Sequence, residues 1–140
     1  RSWFGGRPAA VTGVAAELVR NRRAPRLLAM AADQAPRAPE RSLVCNFLQQ
    51  PTSFHHTPGE LAARTGLPVL FARCTRRSPG QYSVRFEALT SVQGEQDSEL
   101  ITRAYAQAAE RAILAEPESW LWSHRRWKER PGSVARSTLT

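Results

Sequence analysis

His55, His56 and Glu60 form a short-range group of histidines and a carboxylate, and His55 and Glu60 have the spacing H-x-x-x-x-E. A carboxylate at that distance can fix an imidazole as general base for a hydroxyl nucleophile. Pro58 and Gly59 bend the chain between them, so a structural or solvent-exposed role for the histidines competes with a catalytic one. Adjacent histidines in an extended segment face opposite ways, which argues against a metal site. A second candidate is the pair Asp33-Gln34, which follows a short apolar run. Open α/β sheets place ligand-contacting groups at such strand ends, although an Asp there also serves as an N-cap or loop hydrogen-bonder.

The densest unusual composition lies at residues 117–131, PESWLWSHRRWKERP, with three tryptophans, one histidine and four cations in fifteen residues. Read as a helix, it places Trp120, His124 and Trp127 on one stripe and Leu121, Arg125 and Lys128 on the next. An aromatic face beside a cationic one suits an anionic amphiphile at a membrane boundary, where tryptophan is favoured and arginine meets phosphate. The bland alternative is that the tryptophans dock a C-terminal helix on the core.

The elements that position these residues must come from 140 residues, the size of one domain, with 41% hydrophobic content. Twenty Lys+Arg against twelve Asp+Glu leave +8, and Lys128 is the single lysine. That charge predicts an anionic partner: nucleic acid, an anionic membrane surface or an acidic carrier protein. A basic nucleic-acid-binding module with base-stacking tryptophans is therefore the alternative function, although the cations are dispersed and no recognised nucleic-acid motif occurs. Cys45 and Cys74 lack any C-x-x-C spacing and are expected as buried free thiols, without zinc. No signal peptide is recognisable, and no apolar stretch is long enough to span a bilayer.

Periodicity predicts a helix over 8–20, a buried strand over 26–33, for which a helix is the competing reading, and a short strand or apolar loop over 42–48. A helix then starts at Pro58 and stops at Gly66. Residues 67–74 read as a second buried strand, and Ser78-Pro79-Gly80 turns it into a half-buried strand in which Tyr82, Val84 and Phe86 alternate with polar residues. Arg73, Arg76, Arg77 and Arg85 around this hairpin read as a solvated basic edge that blocks strand pairing. Asp97 caps a helix with Ile101, Ala104, Tyr105, Ala108 and Ala112 on one stripe. The expected fold is α/β, a small mixed sheet with an edge hairpin packed by helices, with a disordered tail at 132–140.

Several of these motifs together resemble a known family. Residues 117–131 closely resemble the C-terminal signature of the bacterial lipid A biosynthesis acyltransferases, the lauroyl and myristoyl transferases of the lysophospholipid acyltransferase superfamily. The match rests on Pro117, Glu118, Trp120, Trp122, His124, Arg125, Arg126, Lys128 and Pro131. Ala32-Asp33-Gln34, Gln50-Pro51-Thr52, Gly59-Glu60-Leu61-Ala62, Leu67-Pro68-Val69 and Gly80-Gln81-Tyr82 follow in the family's order.

The resemblance implies part of a glycerol-3-phosphate acyltransferase-like fold, with residues 1–131 as the C-terminal portion of an acyltransferase domain. It implies acyl transfer from acyl carrier protein to a lipid A precursor, at the cytoplasmic face of the bacterial inner membrane, with no cofactor, no metal and no nucleic acid. Substrate binding falls to Asp33, Gln34, Arg125, Arg126 and Lys128. The family's base is the histidine of an H-x-x-x-x-D/E pair that comes before the Asp-Gln strand. No such pair precedes Asp33 here, and His55 and Glu60 align with a later segment. The resemblance therefore implies a fragment without the catalytic pair, with His55 and Glu60 the only local candidates for it.

Overall fold

A computed structural model describes residues 13–20, 27–36, 41–90 and 97–127. Its elements run α1 (Val14–Arg20), β1 (Ser42–Phe47), β2 (Gln50–His55), α2 (Thr57–Thr65), β3 (Leu70–Ser78), β4 (Gln81–Ala88) and α3 (Ser98–Ala115), followed by a 3-10 turn at Pro117–Ser119. The long helix α3 is the spine. Asp97 starts it as an extended N-cap whose side chain accepts from the Glu99 and Leu100 backbone N–H groups, at 2.7 and 3.3 Å. Its buried face, Ile101, Thr102, Ala106, Ala108, Ala109 and Ile113, meets α2, β1, β2 and β3. The expected stripe positions Ala104, Tyr105 and Ala112 border that face and are half-buried.

The expected class is met as mixed α/β, but the single mixed sheet is not formed. Among the described residues there are two separate antiparallel pairs, β1 with β2 and β3 with β4. Residues 27–33, expected as a buried strand, run without a ladder partner, and Leu27, Leu28 and Met30 are exposed while only Ala32 is buried. The described strands pair within their own hairpins, which leaves this segment no neighbour to bond. The predicted helix over 8–20 is present as α1 from Val14, and its earlier residues lie outside the described ones, as do residues 132–140.

The β1–β2 hairpin carries the core. Phe47 and Phe54 are essentially fully buried and meet edge to face at 5.1 Å between centroids. Burying each ring contributes roughly 2–3 kcal/mol. The hairpin turns at Leu48 and Gln49 with φ of 50° and 62°, a left-handed conformation that ordinarily calls for Gly or Asn. The Glu110 carboxylate of α3 holds it, accepting the Leu48 N–H at 2.9 Å, while Leu48 packs on the core.

The β3–β4 hairpin lies where the Ser78-Pro79-Gly80 turn predicts it, but its faces are inverted. Tyr82, Val84 and Phe86 are 64%, 52% and 62% exposed, whereas the strand positions opposite Phe71 and Arg73 turn toward α3. Electrostatics and one aromatic contact select this orientation. Arg73 pairs with Glu116 at 3.1 Å, Arg111 with Glu87, and the Phe71 ring lies 5.8 Å from that of Tyr105. Cys45 is a buried free thiol as expected, while Cys74, on the outward face, is exposed.

α2 ends at Gly66, whose φ of 67° closes the helix with a bond from its N–H to the Ala62 carbonyl. Gly59 is where α2 touches α3. A Cβ there would overlap the Ser98 carbonyl oxygen and stand 2.8 Å from Thr102 Oγ1. Gly59→Ala is therefore expected to lower unfolding stability by about 1–3 kcal/mol in a denaturant titration. An unchanged midpoint would mean that the two helices have room to part.

Candidate functional site

The C-terminal segment is not a helix. After the 3-10 turn at Pro117–Ser119 it runs as irregular turns to Trp127, so Trp120, His124 and Trp127 share no helical stripe. Ser119 explains part of this, because its hydroxyl donates to the Glu116 carbonyl and competes with helical bonding. The segment instead folds as a strap over the β1–β2 hairpin. Trp120 and Trp127 flank Phe47 at 6.2 and 6.4 Å between ring centroids. The Trp127 indole N–H donates to Thr52 Oγ1 at 2.8 Å, and that of the exposed Trp122 donates to the Pro117 carbonyl at 2.7 Å. Two of the three tryptophans are thus half-buried and packed against the core.

Arg126 is the centre of the strap, a guanidinium only 5% exposed. Its Nη2 donates to the Ser53 carbonyl at 2.6 Å, and its Cζ lies 4.5 Å from the centroid of the Phe54 ring. Among the described residues its Nε has no hydrogen-bond partner. Burial disfavours the charge and lowers the pKa, and the Tyr105 hydroxyl, the Asp33 carboxylate and Cys45 work in the opposite direction. The Tyr105 phenol is held protonated, far above its ordinary range, by burial first and by Asp33 second. Burial likewise pushes the Cys45 thiol up, against the nearby charges of Arg103 and Arg126, so it is no ready nucleophile.

Asp33 is therefore near enough to act electrostatically on Arg126, although the two lie far apart in sequence. Two residues beyond it, the Ala35 N–H donates to His124 Nε2 at 3.1 Å, so the strap also holds the loop that carries the Asp-Gln pair. Gln34 and Arg125 are exposed beside these anchors, and Lys128 lies outside the described residues. Sequence reading grouped Arg125 and Arg126 as equivalent cations. The structure separates them into a solvent-facing one and a buried anchor, and it adds Tyr105, His124 and Thr52 to the site.

His55 ends β2, half-buried, and Glu60 is exposed on α2. Among the described residues no hydrogen bond or ion pair joins them. His56 is the more constrained imidazole. Thr102 Oγ1 donates its proton to the Ser98 carbonyl, so it accepts from His56 Nδ1–H at 3.1 Å, and Nε2 accepts from the Ser98 hydroxyl at 3.1 Å. Both ring nitrogens are spent on tying the junction between β2 and α2 to the start of α3. No group of three His, Cys, Asp or Glu among the described residues could hold a metal ion.

Arg73, Arg77 and Arg85, expected as a solvated basic edge, line a shallow recess with Thr75 and Glu116. Arg73 and Arg85 stand directly opposite each other across the strands, a like-charge pairing that Glu116 offsets on one side.

A family model described as "Bacterial lipid A biosynthesis acyltransferase" matches residues 1–129. A comparison with curated proteins gives no match.

The state of His55 makes a pH prediction. Its pKa is lowered below 6.5, first by burial and then by the Arg126 charge. The unfolded chain then binds a proton that the native state resists, so the contribution to stability is complete above pH 6.5 and is lost as pH falls through the folded value. Unfolding midpoints measured downward from neutral pH are expected to fall less steeply in His55→Gln than in the wild type. Identical slopes would remove the effect.

Proposed function

Because this chain belongs to the bacterial lipid A biosynthesis acyltransferase family, we propose that it forms the acceptor-side wall of an enzyme that transfers a fatty acyl chain from acyl carrier protein to a lipid A precursor. The supporting observation is the family match over residues 1–129, nearly the whole chain. In the reaction the acceptor hydroxyl gives its proton to a base as its oxygen attacks the thioester carbonyl. A C–O bond replaces the C–S bond, and the carrier thiol leaves with a proton.

In this reading Arg125, exposed on the strap, binds the phosphate groups of a phosphorylated glucosamine disaccharide together with Lys128. Asp33 and Gln34 border the same site, and Arg126 positions Asp33 rather than meeting the substrate. His55 and Glu60 are separated by the start of α2, and the general base falls to another histidine and carboxylate pair. Both proposed substrates are anionic, as a chain of charge +8 suits. The place of action is the cytoplasmic face of the inner membrane. No helix among the described residues is long and apolar enough to cross a bilayer.

The test is incorporation of a labelled acyl group from acyl carrier protein into a phosphorylated, acylated glucosamine disaccharide by the full protein. Incorporation is expected, and Arg125→Ala is expected to raise the acceptor KM about tenfold with kcat nearly unchanged. Folded protein that transfers no acyl group would overturn the reading. An unchanged acceptor KM in Arg125→Ala would remove the phosphate-binding role.

A further inference from the structure

Residues 27–36 carry Asp33 and Gln34, yet they belong to neither hairpin and little ties them to the fold. Ala32 buries its side chain. Among the described residues one hydrogen bond fixes the backbone of this stretch, the Ala35 N–H donating to His124 Nε2 at 3.1 Å. Pro36 follows immediately and has no N–H to give, so Ala35 is the last donor beside the Asp-Gln pair. A proline at 36 also confines Ala35 to extended backbone, which fixes the direction of that N–H.

The acceptor end of the bond is rigid. The backbone N–H of His124 donates to the Leu121 carbonyl at 3.0 Å and closes a turn. Directly after the imidazole, Arg126 donates to the Ser53 carbonyl and the Trp127 indole to Thr52 Oγ1, so the strap is pinned to β2. The half-buried ring is thus held between two anchors, and it offers a lone pair to a stretch that has no ladder of its own. Acceptance at Nε2 requires the neutral ring with its proton on Nδ1.

We propose that His124 is a positioning residue, whose Nε2 lone pair sets where Asp33 and Gln34 stand at the acceptor site. A packing role would ask only for the volume of the ring, whereas positioning asks for an acceptor at the place of Nε2. Glutamine can bring its Oε1 to that place, and leucine fills the space without an acceptor. The proposal rests on the acyl-transfer reading for its effect on turnover, but the bond itself is measured without turnover.

The experiment compares wild type, His124→Leu and His124→Gln in the full protein by amide hydrogen exchange and by acyl transfer from acyl carrier protein. In His124→Leu the Ala35 amide is expected to exchange about tenfold faster while the α3 amides keep their rates. Its kcat is expected to fall about tenfold with the KM for acyl carrier protein unchanged, and His124→Gln is expected to restore both readouts. Imidazole nitrogen NMR of the wild type is expected to show the proton on Nδ1, a check that holds even if the leucine variant does not fold. A proton on Nε2 at neutral pH overturns the proposal, as does unchanged Ala35 exchange in His124→Leu. Turnover that survives in His124→Leu, or that glutamine fails to restore, also overturns it. Folded wild type that transfers no acyl group defeats the acyl-transfer reading instead, and the exchange and tautomer results then still decide whether His124 sets the loop.

Discussion

A guanidinium held out of water is the interaction on which the arrangement of this chain depends. Arg126 reaches beneath the strap, donates to the Ser53 carbonyl and lies over the Phe54 ring. A buried cation carries a desolvation cost of several kcal/mol. Three kinds of compensation act on it: a backbone acceptor, the negative face of an aromatic ring, and the field of Asp33. The first two come from neighbouring residues of β2, so this side chain registers the C-terminal strap against the β1–β2 hairpin, while His124 bonds the loop that follows Asp33. The tryptophans then complete the same junction from either side of Phe47.

This junction separates two roles that the cationic signature seemed to combine. The positive charge of the strap is partly structural, at Arg126, and partly free to meet a ligand, at Arg125. A family signature is thus explained in part by folding: Trp120, Trp127, His124 and Arg126 all bond or pack within the chain. Under the proposed function, acceptor recognition is left to the residues around this rigid frame.

Local chemistry made some of the fold legible from sequence. Asp97 announces α3, Gly66 ends α2, and Ser78-Pro79-Gly80 announces the β3–β4 turn, because each supplies a bond or a conformation that acts within a few residues. The β1–β2 hairpin escaped because its turn uses Leu48 and Gln49 in place of glycine or asparagine, with Glu110 of a distant helix holding the strained backbone. The inward face of β4 was misjudged for a related reason. Alternation says which residues share a face, but the partners that choose the face, Arg111 and Glu116, lie on or next to α3. In the site, Asp33 and the basic signature were visible as residue types. Their meeting through Arg126, and the addition of Tyr105, depend on long-range packing that spacing does not encode.

The contact between Arg126 and Phe54 tests this account most directly. A double-mutant cycle of Arg126→Met and Phe54→Leu, read by chemical denaturation of the full protein, is expected to show an interaction free energy of about 0.5–2 kcal/mol. Arg126→Met alone should be destabilised, because it also removes the bond to the Ser53 carbonyl. Strictly additive effects would contradict the claim that the strap is anchored through this buried charge.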